Sequence, residues 1–302
     1  MSDEPTTAEV DLDSMATQLE ATGNFRVLRR APPFPPIPEM TAGLRRGIVV
    51  DVETTGLDPR TDAIIQIAIL PFVYDGQGRV LGAGAPFVGA EDPFQPIPPK
   101  FTQLTGLTLE MLSGKFLDYD EVEAAVGEPS IVIAHHADFD RKFLENRFPF
   151  FERLPFGCSM TEVPWKDEGY EGTKLSYLMM RAGYVHDAHD AGDECAAVLA
   201  LLGQTLPTAG ATALSFVLDA AANPTHRFWA VGAPIEFKDV LKRRGYRWNP
   251  GDDGRPRAWY KNVPARDFEA ERSFLATDIY QNNFATPVVT SIDAFSRFSN
   301  RS

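Results

Sequence analysis

The alternation of hydrophobic and polar positions predicts a β-sheet in the first half of the chain. A β-branched run begins at Gly47 in GIVVDVETTGL and stops at a turn, AIIQIAILPFVYD follows, and a GQG turn leads into RVLGAGAPFV. Apolar runs of this length, bounded by turn residues, are typical of strands. The pattern therefore predicts a meander of three strands over residues 47–57, 63–75 and 79–88.

Strands and helical segments alternate after the proline-rich loop from Pro93 to Pro99. IVIAHH and the shorter CSMTEV have the pattern of strands, and the segments around them space their apolar residues as helices do. Strands that come first and then alternate with helices indicate a mixed sheet covered by helices, which is an α/β or α+β layer fold.

The two ends of the chain differ in composition from this central part. Residues 1–42 lack a sustained apolar period and end in APPFPPIPEM, so we expect a disordered acidic tail and a proline-rich spacer. The predicted central domain spans residues 43–205, and a helical connector follows over 206–225. Residues 281–302 are predicted to be a C-terminal tail.

A second, smaller α+β domain is predicted over residues 226–280. It contains FWAVG as a strand, a helix that begins at Pro234 and runs through FKDVLKRRG, a hairpin made of YRWN and RAWYKNV, and a last helix opened by Pro264. Since a unit of this size is marginally stable alone, it can gain stability by packing on the first domain. Trp229 and Trp248 are expected in its core.

Charge is distributed unevenly along the chain. The 29 Lys and Arg against 42 Asp and Glu give a net charge of −13, which by itself argues against a nucleic-acid partner. Residues 226–280, however, carry 11 basic and 8 acidic residues, and basic and aromatic side chains interleave there. This pattern is typical of single-strand binding, although an aromatic core under a solvated basic helix is an alternative. The candidate phosphate contacts are Lys242, Arg243, Arg244 and Arg247.

Neither a membrane span nor a secretory signal is predicted. The longest stretch without charge, Ala196 to Leu218, is interrupted by glycine, glutamine, proline and threonine residues. The opening MSDEPTTAEVDLD has neither the basic nor the apolar region of a signal peptide. Since two cysteines cannot form a disulfide framework, we expect a cytoplasmic protein.

Two carboxylates end the first predicted strand, in the string DVETTG. Asp51 and Glu53 are two residues apart and therefore point to the same face of the strand. They lie at its carboxyl end, where ligands collect in sheets with helical cover. Two acids held side by side repel each other unless a cation lies between them, so the pair is a candidate metal site.

Two further acidic segments follow along the chain. Asp140 stands in HHADFDRKFLE, in the first turn of a predicted helix, where a carboxylate can also serve as a helix cap. Asp138 could fill that capping role instead. The string HDAHDAGDECAAVLALL then opens another helix with two histidines and several acids.

These three segments, in this order and at this spacing, resemble the motifs of the DnaQ-like DEDDh 3′-to-5′ exonucleases, which include the proofreading subunit of bacterial DNA polymerase III. The resemblance covers about residues 46–203. It implies an α/β, ribonuclease-H-like exonuclease fold, a mixed sheet flanked by helices. It also implies that four carboxylates hold two divalent cations, Mg²⁺ or Mn²⁺, while a histidine removes the proton from water.

Carried over residue by residue, the resemblance implies metal ligands at Asp51, Glu53 and Asp140 and a general base at His189. His186 is the rival base. It further implies that the turn residues Thr54, Thr55 and Gly56 approach the terminal nucleotide.

Two positions depart from the family pattern. His136 stands where the second motif, N-A-x-F-D, has asparagine, and it is a candidate substrate contact. The third motif, H-x4-D, has Glu194 in place of the final aspartate, with Asp193 just before it. With about 100° per residue, the apolar face of this helix lies roughly 70° from Glu194 and roughly 170° from Asp193. We therefore favour Glu194 as the fourth ligand and keep Asp193 as the alternative.

The resemblance implies a metal-dependent exonuclease that removes nucleoside 5′-monophosphates from DNA 3′ ends. Single-stranded DNA is then the expected partner, RNA an alternative one, and a DNA polymerase a candidate protein partner. An exoribonuclease of the same fold is the first alternative function. The second is a non-catalytic module that binds nucleic acid or a polymerase, in which Glu194 and His136 mark a decayed site.

Overall fold

The computed structural model describes residues 11–186, 190–252, 254–281 and 287–301. The first half of the chain contains, in order, α1 (Leu12–Ala21), β1 (Arg29–Arg30), β2 (Arg45–Thr54), β3 (Ile64–Tyr74), β4 (Val80–Ala83), β5 (Phe87–Ala90), α2 (Pro99–Thr105), α3 (Leu109–Leu112), α4 (Tyr119–Val126), β6 (Val132–Ala134) and α5 (Ala137–Arg147). The second half contains β7 (Phe156–Cys158), α6 (Leu175–Ala182), β8 (Tyr184–Val185), α7 (Ala191–Leu202), α8 (Ala213–Ala222), β9 (Thr225–Ala230), α9 (Lys238–Arg243), β10 (Arg247–Asn249), β11 (Ala258–Pro264), α10 (Phe268–Phe274) and β12 (Val288–Ile292). Within these described ranges no helix has both the length and the apolar character needed to cross a bilayer.

The central sheet is mixed, with strand order β4-β3-β2-β6-β7 and with β5 also paired to β3. β2 runs antiparallel to β3 and parallel to β6, and β6 runs parallel to β7. Short turns join the antiparallel strands, whereas helical crossovers join the parallel ones. Since β2, β6 and β7 point the same way, their carboxyl ends meet at one edge of the sheet.

Helices cover both faces of this sheet. Along β2, Ile48, Val50 and Val52 are buried on the face covered by α4 and α5. Val49 is buried on the opposite face, with the apolar side of α7. The strand is apolar on both faces, as a central strand between two helical layers must be.

Two strand predictions differ from the structure. The third strand of the meander, predicted over 79–88, is divided into β4 and β5, which pair with different parts of β3. Gly84 lies between them and donates its N–H to the carbonyl of Pro71 at 2.8 Å, so the chain bends there. The strand predicted for CSMTEV ends at Cys158, because Glu162 folds back and accepts a hydrogen bond from the Cys158 N–H at 2.8 Å.

The N-terminal segment is not a disordered tail over its described part, residues 11–42. β1 pairs in parallel with β8, and the carbonyl of Pro35 accepts the N–H of Ala83 at 2.9 Å. Phe34 packs against the core beneath α7. A proline has no N–H group, but its carbonyl can still accept a hydrogen bond from the exposed edge of the sheet at β4, as that of Pro35 does.

The smaller unit is a four-stranded antiparallel sheet of order β10-β11-β9-β12. α9 and α10 cover the face that carries Phe228. Trp229 is buried, as predicted, whereas Trp248 is 48% exposed and its predicted place in the core is wrong. The reason is that β10 is an edge strand, so the ring of Trp248 packs edge-on against Trp259 and has no strand on its other side.

The C-terminal tail predicted from 281 contains a strand and a docking segment. β12 adds to the small sheet beside β9. The chain then packs on α5, where the buried Arg141 donates to the carbonyls of Ala294 and Arg297 at 3.0 and 2.9 Å. These contacts join the small sheet to the central domain, so the prediction of a tail was wrong here.

Candidate active site

Asp51 and Glu53 occupy the carboxyl-terminal half of β2. The two-residue period of the strand places both side chains on the face covered by α7. The pairing with β3 shifts its register between Glu53 and Thr54, where the strand leaves the sheet. Both acids therefore stand at the edge where the parallel strands end.

Asp140 reaches this edge from the first turn of α5. Its side chain is 3% exposed, and its Oδ1 accepts the main-chain N–H of Val52 at 3.3 Å. Asp138 instead forms a surface ion pair with Lys142 at 3.0 Å. His136 stands at the N-cap of α5 and makes no side-chain capping bond there. Asp140 is therefore aimed at β2.

Asp193 and Glu194 face different surroundings in the first turn of α7. The helix begins at Ala191, and Asp190 caps it by accepting the N–H of Asp193 at 2.9 Å. The side chain of Asp193 forms an ion pair with Arg30 at 3.2 Å. Glu194 lies near enough to the acids of β2 for its charge to act on them.

The electrostatics of this edge follow from crowded carboxylates. Burial raises the pKa of Asp51 well above its usual range, and the charges of Asp140, Glu194, Glu53 and Asp190 raise it further. Burial and three of the same neighbours raise the pKa of Glu53 to about 8. Burial is also the main cause that raises the pKa of Asp140. The cluster favours protonation or a bound cation.

The donor set has the chemistry of a site for hard cations. Asp51, Glu53, Asp140 and Glu194 supply only oxygen atoms, which are the ligands that Mg²⁺ and Mn²⁺ prefer. In the parts of the chain that the structure describes, no three His, Cys, Asp or Glu side chains are already close enough to hold an ion. The repulsion among these carboxylates is relieved when a cation neutralises it.

The turn after β2 is closed by its own hydrogen bonds. Thr54 Oγ1 donates to the carbonyl of Gly56 at 2.6 Å, and the Thr55 N–H donates to the carbonyl of Ala63 at 3.0 Å. Both threonines are buried. A Cβ at Gly56 would overlap the carboxylate of Asp62, so a larger residue here would force that side chain to move. The Thr55 amide, which the family resemblance directs at the terminal nucleotide, is engaged within the turn.

Two neighbouring histidines at the end of β6 differ in role. His136 is exposed, and its ring stacks on Phe139 with centroids 6.0 Å apart. His135 meets the carbonyl of Thr173 through Nε2 at 2.8 Å and the hydroxyl of Ser159 through Nδ1 at 2.9 Å. Since a carbonyl only accepts, Nε2 carries the proton. Burial lowers the pKa of His135 to about 4, so this ring is a neutral structural group.

Only one of the two candidate bases lies among the described residues. His189, which the resemblance implies, lies outside the described residues. His186 is half-buried and lines a cavity of about 280 Å³, together with Arg30 and Asp193. The rival base is therefore on the Asp193 side of α7.

Comparisons with known proteins show the family of this chain. A family model described as exonuclease, RNase_T, matches residues 48–202, just over half of the chain. The chain belongs to this exonuclease family. The resemblance to DnaQ-like 3′-to-5′ exonucleases is thereby confirmed.

Three curated relatives illustrate the exonuclease match. DNA polymerase III PolC-type of Thermotoga maritima is 34% identical over 35% of this chain and 8% of its own length. DNA polymerase III subunit epsilon of Treponema pallidum is 28% identical over 48% of this chain and 68% of its own. Ribonuclease T of Photorhabdus laumondii is 29% identical over 35% of this chain and 57% of its own. The chain thus spans only a small part of the PolC-type relative.

A solved structure shares the fold. The zinc-ion-bound form of E. coli exonuclease I with single-stranded DNA superposes with a TM-score of 0.50, at 16% identity, over 84% of this chain and 66% of that one. The predicted ribonuclease-H-like exonuclease fold, a mixed sheet flanked by helices, is confirmed.

Both faces of the small sheet carry basic residues that the sequence predicts as phosphate contacts: Lys242, Arg243, Arg244 and Arg247. The first three lie on or directly after α9, on the Phe228 face, and Arg244 pairs with Glu271 at 3.0 Å. Arg247 lies on β10 opposite Tyr260, and so on the other face. The four residues therefore do not form one surface.

One charged neighbour of this carboxylate cluster was given no role from the sequence. Asp190 is exposed at the N-cap of α7, and its charge helps to raise the pKa of both Asp51 and Glu53. Its capping position predicts a structural role. Only the approach of α7 to β2 brings its carboxylate near the other acids.

Proposed function

We propose that this protein is a metal-dependent 3′-to-5′ exonuclease that releases nucleoside 5′-monophosphates from DNA 3′ ends. The observation that carries this proposal is the convergence of four carboxylates from β2, α5 and α7 at one edge of the sheet. Burial and the repulsion of neighbouring acids raise the pKa values of three of them, Asp51, Glu53 and Asp140. Such repulsion is relieved by divalent cations.

In this proposal Asp51, Glu53, Asp140 and Glu194 hold two divalent cations, Mg²⁺ or Mn²⁺. When bound, such a pair supplies the charge that activates water and stabilises the departing 3′ oxygen. The protein contributes the orientation of the carboxylates. The Val52 N–H holds Asp140 at 3.3 Å, and the central position of β2 keeps Asp51 and Glu53 on one face.

His189 is proposed as the group that accepts the proton from the attacking water. A histidine near neutral pKa is suited to this step, and the third family motif carries it at this position. His136, exposed at the N-cap of α5, is proposed to contact the substrate strand in place of the asparagine of the usual motif.

DNA is the proposed substrate because two of the relatives named above are parts of DNA polymerase III. The same relatives make a DNA polymerase the proposed protein partner. Ribonuclease T is also among the relatives, so an exoribonuclease is the alternative function, and the same assay tests it with RNA.

The test is degradation of a 5′-labelled single strand of DNA, and of RNA, with Mg²⁺, with Mn²⁺ and with EDTA. We expect stepwise shortening from the 3′ end of DNA that EDTA abolishes, and nearly complete loss of activity in Asp51→Ala with the fold intact. Glu123→Gln, which changes a half-buried acid of α4 paired with Arg153, is the matched control and should remain active. Activity of Asp51→Ala within about threefold of the parent would exclude the proposed metal site, since removal of a ligand to catalytic metal costs far more.

A further inference from the structure

A cleft of about 590 Å³ separates the exonuclease domain from the small sheet. One wall is formed by α5 and the segment after β7, with Lys142 and Glu162 among the lining residues. The other wall is formed by β9, β10 and β11, with Arg227, Arg247 and Tyr260. Its volume is in the range of pockets that bind organic ligands.

The charge of this cleft is opposite to that of the chain. Five basic side chains and two acidic ones, Asp138 and Glu162, line it, whereas the whole chain has a net charge of −13. The basic residues come from five separate parts of the sequence: Lys142, Arg227, Arg247, Arg255 and Arg297. Such a concentration of positive charge attracts a polyanion.

Arg297 is a buried cation among the residues that line this cleft. It is 7% exposed, its Nη1 pairs with Glu162, and its Nη2 donates to the carbonyl of Asn223 at 3.2 Å. Its Nε has no hydrogen-bond partner within the described residues. The guanidinium adds positive charge to the cleft wall, and a phosphate group is a suitable partner for such a charge.

Strand pairing aligns a second set of contacts on the opposite wall. Arg247 pairs with Tyr260, and Tyr260 pairs with Trp229, so these side chains share the face of the sheet that also carries Arg227. The guanidinium of Arg227 lies 5.2 Å from the ring centre of Tyr260. Guanidinium groups beside an aromatic ring form a platform for the phosphates and bases of a single strand.

Two residues that line the cleft follow the same edge of the central sheet at which the acids stand. Thr161 and Glu162 line it and follow the carboxyl end of β7, while Asp51 and Glu53 stand at the carboxyl end of β2. β6 lies between these strands, and the exposed His136 follows its end. A strand lying along this edge therefore passes from the cleft, over His136, to the acids.

We infer that the cleft binds the phosphodiester backbone of a single nucleic-acid strand upstream of the 3′ end that enters the active site. This inference rests on the proposed exonuclease function for the direction of the strand. The cleft contacts themselves require no hydrolysis. Of the predicted phosphate contacts, Arg247 lines the cleft, whereas α9 with Lys242 and Arg243 lies on the far face of the small sheet.

The test compares two double variants that remove the same charge from the small unit. Arg227→Ala with Arg247→Ala removes two cations of the cleft. Arg266→Ala with Arg272→Ala removes two cations that pair with Asp267 and Glu269 outside it. Binding of a 5′-fluorescein-labelled 20-nucleotide oligo(dT) is measured by fluorescence anisotropy over a series of NaCl concentrations. The buffer contains EDTA, which prevents cleavage.

We expect the cleft variant to bind at least about tenfold more weakly, and the slope of log Kd against log salt to fall by about 1.4, or 0.7 for each lost phosphate contact. The control variant should bind as the parent does. If the cleft double variant does not fold, Arg247→Glu, which changes an exposed side chain, must weaken binding by itself. Unchanged binding and slope in a folded cleft variant would overturn the inference.

A second readout separates this inference from the proposed function. Hydrolysis of the p-nitrophenyl ester of thymidine 5′-monophosphate needs the acids but no upstream strand, so the cleft variant should retain the parent rate. A parent protein that cleaves neither this ester nor any strand, yet binds oligo(dT) through the cleft, would refute the function and support the cleft. A parent that cleaves both the ester and the strand, with a cleft variant that binds oligo(dT) normally, would support the function and refute the cleft. If the double variant Lys242→Glu with Arg243→Glu loses binding while the cleft variant does not, the strand lies on α9 and the cleft inference is refuted.

Discussion

Asp193 Oδ2 lies 3.2 Å from Nη1 of Arg30, which joins the first turn of α7 to the N-terminal segment. The next residue, Glu194, is directed to the acids of β2, whose pKa values it raises. One helical step of about 100° accounts for this difference between neighbours. Asp193 therefore belongs to the surface contact and Glu194 to the proposed metal site.

Replacement of these two residues should have opposite consequences. We predict that Glu194→Ala is inactive, because it removes a metal ligand, whereas Asp193→Ala keeps most of its exonuclease activity. The Arg30 pair is largely exposed, and such pairs contribute little to stability. Initial rates on labelled DNA, with circular dichroism to verify folding, provide the measurement. An inactive Asp193→Ala beside an active Glu194→Ala would assign the ligand to Asp193.

Shortening the side chain of Glu194 should favour turnover with Mg²⁺, whose coordination geometry is stricter than that of Mn²⁺. Glutamate is one methylene longer than the aspartate of the usual motif, which displaces its carboxylate by roughly 1.5 Å. Mg²⁺ demands nearly ideal octahedral geometry. We therefore expect Glu194→Asp to retain or raise the turnover supported by Mg²⁺. The ratio of rates with Mg²⁺ and Mn²⁺ measures this effect, and a selective loss of the Mg²⁺ rate would contradict it.

The stability of the cation-free protein should fall as the pH rises. The pKa of Glu53 is raised to about 8, and those of Asp51 and Asp140 are raised as well. A carboxyl group whose pKa is higher in the folded state stabilises the fold below its unfolded pKa of about 4, and this contribution is lost as the pH rises through the folded value. We expect Tm in EDTA to decrease from about pH 5 to about pH 8.5, by calorimetry.

Two controls identify the acids as the cause of this pH dependence. Asp51→Asn should flatten it, because one of the repelling carboxylates is gone. Mg²⁺ or Mn²⁺ should raise Tm more at the alkaline end than at the acid end, since cations bind the deprotonated ligands. A Tm that rises with pH in EDTA, in parent and variant alike, would contradict the prediction.

His189 should be needed for the rate rather than for the fold. If it accepts the proton from water, His189→Ala should lower kcat by about 10² to 10⁴ and flatten the acid limb of the pH profile. His186→Ala serves as the comparison, because it changes the other histidine of the same motif. The same loss in His186→Ala, with His189→Ala at the parent rate, would show that His186 is the base.

Arg141 should be one of the residues that hold the C-terminal segment in place. It is fully buried, and its Nε lies 2.7 Å from Oε1 of the buried Glu145. Its Nη1 donates to the carbonyls of Ala294 and Arg297. Arg141→Ala leaves this buried acid without its closest cation and should cost about 3 to 5 kcal/mol of unfolding free energy. Arg153→Ala, at an exposed position, should cost less than about 0.5 kcal/mol. Urea denaturation measures both values, and equal losses would refute this role.

Local geometry explains what could be predicted from the sequence. The period of two along DVETTG places Asp51 and Glu53 on one face, and the step of a helix separates Asp193 from Glu194. Both relationships involve residues close together in the chain, so the backbone conformation alone determines them. The hairpin of β10 and β11 was predictable for the same reason, whereas the sheet with helical cover was inferred from the order of strand and helix patterns along the chain.

Contacts between distant parts of the chain were decided only by the tertiary structure. The proline segment pairs with the edge at β4, β12 joins a sheet begun at Thr225, and Arg141 meets carbonyls more than 150 residues further along. None of these contacts has a local periodic pattern. The charge of the cleft arises in the same way. Lys142, Arg227 and Arg297 are far from one another in the sequence and become neighbours only when the small sheet packs on α5. Sequence periodicity reports which face of an element is buried, but the partner of that face is chosen by the packing of the whole chain.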